Sequence, residues 1–388
     1  MSLARPVVLR INRNLDDHAA WAGCVMAIRV DAVGLHQLVY GGAVLGGGGG
    51  GSLATGLQSA RDILAAGVPR VIALSAVPDE AILATLSAVG GAGETAPARP
   101  TYFAHALSLF ESFTHQAVDG YLASEVGPCS VTHGMRESIN TGVPVVDAPA
   151  NGRAHPLFAM GSLGAHLWPG EITATVAVGA VPGSGRQVEV AVRANVNTAA
   201  RIVRERANKS GAPLAVVRNA LPAAVVRQHA AVGALAFAQR VGRVLLSELD
   251  QGPLAVLAGL ASYMGGRVLA RGRVTGARLA ERRGFTLGVI KIRGADGSEV
   301  RVPVCNGFMG VLRRGRALAG FPDLVTLFDG VTGLPLALSE VRMNRLIAVF
   351  AVPRRRLVLG SSMTDRGLLR PLERQLGGRI ASMPAVAA

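Results

Sequence analysis

The sequence predicts an α/β N-terminal domain with a mostly parallel sheet, followed by an α+β C-terminal domain with a β-rich end. Three observations carry this. Up to about residue 168, short apolar runs alternate with segments of helical period, as parallel pairing requires. Beyond "WPGE" the apolar period shortens to two and turn residues multiply. At 388 residues the chain has room for two domains, expected over 28–168 and 169–388 behind an arm of residues 1–27.

Each element has its own signal. "GLHQLVYGGAVL" is an apolar, strand-like entry into six consecutive glycines, Gly46 to Gly51. After them Leu53, Leu57, Ala60 and Leu64 recur at helical spacing, with Ser52 placed as the cap. "GVPRVIALSAV" is a strand, and "PDEAILATLSAVGG" starts helically at Asp79 and stops in glycine. The loop "GGAGETAPARP" precedes an apolar helix from Tyr102 to about Val118. "GYLASEVG" is a short strand, "HGMRESINTG" a helix, and "VPVVDAPANGRAHP" a buried strand running into a polar loop. Further on, helical sequence from about Val196 culminates in "PAAVVRQHAAVGALAFAQRVGRVLLSEL". From "GGRVLARGRVTGARL" the chain becomes a series of short strands, two of them joined by the hairpin turn "GADGSE".

Composition narrows the function classes. Half the residues are hydrophobic and 17% are charged, so a large core is available and disorder is excluded. The net charge of +15 invites a nucleic-acid reading. Its distribution argues otherwise: Lys209 and Lys291 are the only lysines, the arginines are scattered, and "RRGR" and "PRRR" lack interleaved aromatics. No nucleic-acid partner is expected. The three cysteines, Cys24, Cys129 and Cys305, are far apart, which fits a reduced, cytoplasmic protein. Asp16, Asp17 and His18 interrupt the apolar core that a signal peptide ahead of Cys24 would need. The uncharged stretch from Ala32 to Ala60 is broken by glycines, His36 and Gln37, so no membrane span is expected. With so few charges to cover its surface, the chain is expected to form a homo-oligomer.

The glycine run is the first candidate site. A phosphate-binding loop needs a lysine after its glycines, and Ser52, Leu53 and Ala54 follow here. A dinucleotide site needs an acidic residue ending the next strand, and Asp79 lies about 30 residues on, beyond a proline. No nucleotide cofactor is expected. A linker would carry polar flanks. The apolar, periodic flanks instead favour a ligand-facing loop whose backbone approaches its ligand closely.

The second candidate is "VPVVDAPANGRAHP". A buried strand ending in Asp147 delivers a carboxylate to a sheet edge, with Asn151, Arg153 and His155 on the adjoining loop. An Asx turn with Asp147 paired to an arginine is the structural alternative.

The order of these pieces resembles the S-methyl thiohydantoin desulfurase family, often encoded beside hydantoinase and oxoprolinase genes. The resemblance rests on poly-Gly, "EVG", "VDxxxxGRAxP", "VCNGF" and "PDLVTxxDxxTGxP", and spans about Val39 to Pro353. It implies a two-domain enzyme that hydrolyses an exocyclic carbon–sulfur bond on a hydantoin-like ring, giving a hydantoin and a thiol. A hydantoinase-type partner is implied by the same association. The chain departs from the family pattern at Pro149, Ala150 and Asn151, at His155, and at Gly307, where the family carries a carboxylate.

Such a reaction needs an activated water, a seat for developing charge and a proton for the leaving group. Asp147 or Glu125 is the candidate base. Gly47, Gly48, Gly49, Gly50, Ser52, Glu94, Arg153 and Asn306 are the candidate substrate contacts. A metal-bound hydroxide is the other route, with zinc favoured and His133, Asp147 and His155 as ligands, Cys129 behind them. A non-catalytic accessory subunit that binds the same small cyclic ligand is the alternative function.

Overall fold

A computed structural model describes residues 28–90, 98–168, 170–282 and 284–376. The expected arm, residues 1–27, and Glu94 lie outside the described residues.

The first element, α1 (Ala32–Leu45), is a helix, not the strand its apolar run suggests. Asp31 caps it, its carboxylate accepting from the Gly34 amide at 2.8 Å. Gly41 is what lets it pack where it does. A Cβ there would lie 1.7 Å from the Ala238 carbonyl oxygen, and one at Gly242 would lie 1.7 Å from that of Gln37. Two helices therefore cross backbone against backbone. The glycines that looked like strand-breaking residues are the crossing point.

After the glycine turn come α2 (Leu53–Ala66), β1 (Val71–Ile72) and β2 (Ile82–Val89). The helix expected from Asp79 is β2 instead. A short, continuously buried apolar run has no period that separates helix from strand, and "ILATLSAV" is one. Next are α3 (Pro100–Thr114), β3 (Gly120–Ala123), α4 (Met135–Thr141) and β4 (Val145–Val146). The hairpin β5 (Thr173–Ala180) and β6 (Gln187–Ala194) leads through α5 (Val196–Ser210) to β7 (Leu214–Pro222).

These strands form one seven-stranded sheet in the order β1-β4-β3-β2-β7-β5-β6. It is mixed rather than mostly parallel. The contacts β1/β4, β4/β3 and β3/β2 are parallel, while β2/β7, β7/β5 and β5/β6 are antiparallel. The reason is connectivity: helical crossovers give parallel neighbours, whereas a tight hairpin gives antiparallel ones. The sheet also continues past residue 168, to β7.

Helices α6 (Ala223–His229), α7 (Ala234–Glu248) and α8 (Pro253–Met264) follow. The β-rich end is as expected. Strands β8 (Arg267–Arg282), β9 (Phe285–Arg293), β10 (Glu299–Cys305), β11 (Gly310–Arg313), β12 (Arg316–Gly320), β13 (Leu324–Asp329) and β14 (Leu346–Val352) build a second sheet. Its order is β12-β11-β10-β9-β8-β14-β13, antiparallel throughout. The "GADGSE" turn joins β9 to β10, pairing Arg293 with Glu299. A last helix, α9 (Arg366–Leu376), follows.

One core joins the sheets. It runs from Val145 and Val217 of the first sheet, through Leu38 of α1 and Leu245 of α7, to Leu324 and Phe350 of the second. The Thr326 hydroxyl on β13 donates to the carbonyl of Val44 at 2.7 Å, tying the second sheet to the end of α1. Among the described residues no single helix is long and apolar enough to cross a membrane.

Candidate functional site

The six glycines form the turn between α1 and α2. Gly47, Gly48, Gly50 and Gly51 all have positive φ, between 53° and 99°. Residues with a Cβ resist that region, and there is no room for one either: at Gly51 it would lie 2.3 Å from the Cys129 sulfur. The turn is clamped by its carbonyls. Phe308 donates to Gly47 at 2.8 Å, Leu338 to Gly48 at 2.9 Å, and Cys129 to Gly50 at 2.9 Å. Among the described residues nothing accepts from the amides of Gly48, Gly50 and Gly51. With its carbonyls tied back, the turn is left with spare donors, the property of an anion-binding nest. Ser52 ends it, capping α2 through a reciprocal pair of hydrogen bonds with Thr55.

This turn is one wall of a cavity of about 710 Å³. The ends of β2 and β3 form another, which places the cavity at the carboxyl edge of the parallel strands. Asn306 and Gly307, at the end of β10, and residues Ser339 to Arg342 bring the second sheet to the same space.

Glu125 follows β3 directly and its side chain is 15% exposed. One carboxylate oxygen accepts from the Ser130 hydroxyl at 3.2 Å and the other from the His155 amide at 3.0 Å. The ring of His155 lies alongside, its Nε2 3.7 Å from that second oxygen. His155 Nδ1 is 2.9 Å from the Leu157 carbonyl oxygen, so the neutral ring carries its proton on Nδ1. Burial pulls the His155 pKa down, against the opposing pull of Glu125. Burial likewise holds His133 down to about 4, so both rings are neutral near pH 7. His133 packs at a tilt on Phe103, ring centres 5.1 Å apart.

Of the residues singled out in the sequence, Gly48, Gly49, Gly50, Ser52, Glu125, His133, His155 and Asn306 line this cavity. Three others do not. Gly47 lies behind the wall, against the Arg153 guanidinium. Arg153 is fully buried, stacked 4.8 Å from the Phe321 ring centre and donating to the carbonyls of Ala154, Pro322 and Asp323. Asp147 points into α7, where its two oxygens accept from the Leu235 and Ala236 amides at 2.7 and 3.1 Å. Burial pushes its carboxyl up to about 6 against the pull of those amides, so it is ionised at pH 7. It caps a helix from a neighbouring strand.

Asp147 therefore stands apart from His133 and His155, and these three do not compose a ligand set. Among the described residues no group of three or more His, Cys, Asp and Glu side chains is arranged to hold a metal ion. No reaction step is routed through a metal below.

Sequence reading overlooked Arg218. It lies on β7, lines the cavity and is 2% exposed. A lone arginine inside the apolar run "LAVVRNALP" was its visible signal.

Residues 33–190 match the model of the "S-Me-THD-like, N-terminal domain" and residues 194–362 that of the "S-Me-THD-like, C-terminal domain". The chain belongs to the S-Me-THD-like family. This S-Me-THD-like chain is also similar to a crystal structure of a protein from Chromobacterium violaceum, with a TM-score of 0.70 and 20% identity. That likeness covers 91% of this chain and 98% of the other, and it speaks for the fold alone. No curated protein matches the chain.

The same S-Me-THD-like fold explains one departure from the family pattern. A Cβ at Gly307 would lie 3.0 Å from the Gly47 carbonyl oxygen, so a carboxylate-bearing residue there would crowd the glycine turn.

Proposed function

We propose that this protein hydrolyses an exocyclic carbon–sulfur bond on a hydantoin-like ring, in the manner of S-methyl thiohydantoin desulfurases. Membership of the S-Me-THD-like family supports the substrate class. The observation that carries the chemistry is Glu125 in a cavity whose facing wall is the glycine turn with its spare amides.

Glu125 is the base. It takes a proton from a water as the oxygen bonds to the ring carbon that bears sulfur. The Gly48, Gly50 and Gly51 amides receive the negative charge that develops on the ring. The carbon–sulfur bond then breaks. Glu125 returns its proton to the departing sulfur, and the second water proton ends on the ring nitrogen. The products are a ring carbonyl and a thiol. His155, neutral and proton-bearing at Nδ1, holds the Glu125 carboxylate through its own backbone amide.

The test is thiol release from an S-methyl thiohydantoin, followed with a thiol-reactive dye. Glu125→Gln is expected to lower kcat by about a hundredfold or more, with the melting temperature little changed. Undiminished turnover in the variant would remove Glu125 from the mechanism.

A second reading, a non-catalytic accessory subunit, is favoured by Gly307, which brings no carboxylate to the cavity. It predicts thermal stabilisation by a hydantoin with no thiol released.

A further inference from the structure

Arg218 combines three properties. Its guanidinium sits 3.6 Å over the Phe158 ring, its Nη1 donates to the Phe158 carbonyl at 2.7 Å, and its Nε has no partner. No carboxylate among the described residues forms an ion pair with it within 4.0 Å. The partly buried Arg227 and Arg345, by contrast, reach Asp79 and Asp329 at 2.9 and 2.7 Å. Arg153, equally buried, spends its donors on three carbonyls. A buried charge without a partner is costly, and such arginines are retained where something else supplies the anion.

The cavity says where the anion comes from. At about 710 Å³ it has far more room than a bare five-membered ring needs. Glu125 and Glu340 lie on the same walls, which disfavours a doubly charged phosphate and leaves a single negative charge as the best match. Arginine's planar fork suits a carboxylate.

We infer that the cavity takes ring substrates carrying a carboxylate side arm, and that Arg218 is the seat of that carboxylate. Where the ring lies rests on the proposed hydrolysis. The carboxylate seat rests on Arg218 itself, so the two can fail separately. The arm on Arg218 would hold the ring carbon against Glu125 on the neighbouring wall.

The experiment compares an S-methyl thiohydantoin with a 2-carboxyethyl arm at ring position 5 against its uncharged 2-carbamoylethyl twin. The acid is expected to show at least about a tenfold higher kcat/KM, the worth of a charge-assisted hydrogen bond. Arg218→Gln should bring the ratio near one, and Arg218→Lys should recover only part of it because the fork is lost. Equal kcat/KM for the two compounds in the unaltered protein overturns the inference while leaving the hydrolysis standing. That comparison decides the matter even if the Arg218 variants fail to fold. Should neither compound be turned over, calorimetry with glutarate and with 2-carboxyethyl hydantoin takes over. Carboxylate binding lost in Arg218→Gln then supports the seat, and absence of binding in the unaltered protein refutes it. Arg204, which also lines the cavity, is the control. A preference that vanishes in Arg204→Gln but persists in Arg218→Gln would overturn the assignment to Arg218.

Discussion

Asp147 and Glu125 look interchangeable in sequence, each a carboxylate just after an apolar strand. Their neighbours separate them. Both oxygens of Asp147 are taken by the first amides of α7, and its own carbonyl accepts from Gly233 at 2.9 Å. Asp147→Asn keeps one acceptor and loses the charge at the helix start. The expected cost is about 1–3 kcal/mol of stability, read as a lower midpoint in urea, with kcat of the folded fraction unchanged. A variant that melts normally but has lost turnover would make Asp147 a catalytic residue after all. The sequence could place a carboxylate at the edge of a strand. It could not show that a helix more than eighty residues later would consume it.

At the level of elements, the crossing of α1 and α7 sets the position of the glycine turn, because Gly46 directly follows α1. Helix propensity and packing disagree there about the effect of a methyl group. Gly41→Ala should stabilise an isolated helix by up to about 1 kcal/mol. In the folded protein the added Cβ meets a backbone carbonyl at 1.7 Å, an atom that cannot rotate away. Destabilisation of about 2 kcal/mol or more is expected, measured by chemical denaturation. A more stable variant would mean that the helices do not approach this closely. Element types were legible where the period was long and capped, as in α2, α5 and the hairpin of β9 with β10. They were not legible in α1 and β2, whose apolar residues are buried with no polar face to reveal a period. The glycine run was rightly singled out as a wall-forming loop, but it joins two helices, not a strand and a helix.

For the molecule as a whole, β7 is the decisive strand. It belongs to the part of the chain matched as the C-terminal domain, yet it sits in the middle of the first sheet between β2 and β5. Sequence patterning marked the switch from parallel-type to hairpin-type strands correctly, but the strand order is a long-range outcome that no local period encodes. A fragment ending at residue 190 would therefore lack a central strand and expose two unpaired edges. It is expected to aggregate or to melt without cooperativity when followed by circular dichroism. A sharp, reversible transition in that fragment would show that the first half folds by itself.

The placement of β7 also orders events in time. A chain emerging from the ribosome N-terminus first cannot close its first sheet until residue 222 has been made, more than half of the total length. Until then β2 and β5 face outward with apolar residues uncovered, the state in which a growing chain most needs shielding. The ligand cavity is finished later still, when Ser339 to Arg342 arrive. Binding competence is thus among the last properties the growing chain acquires.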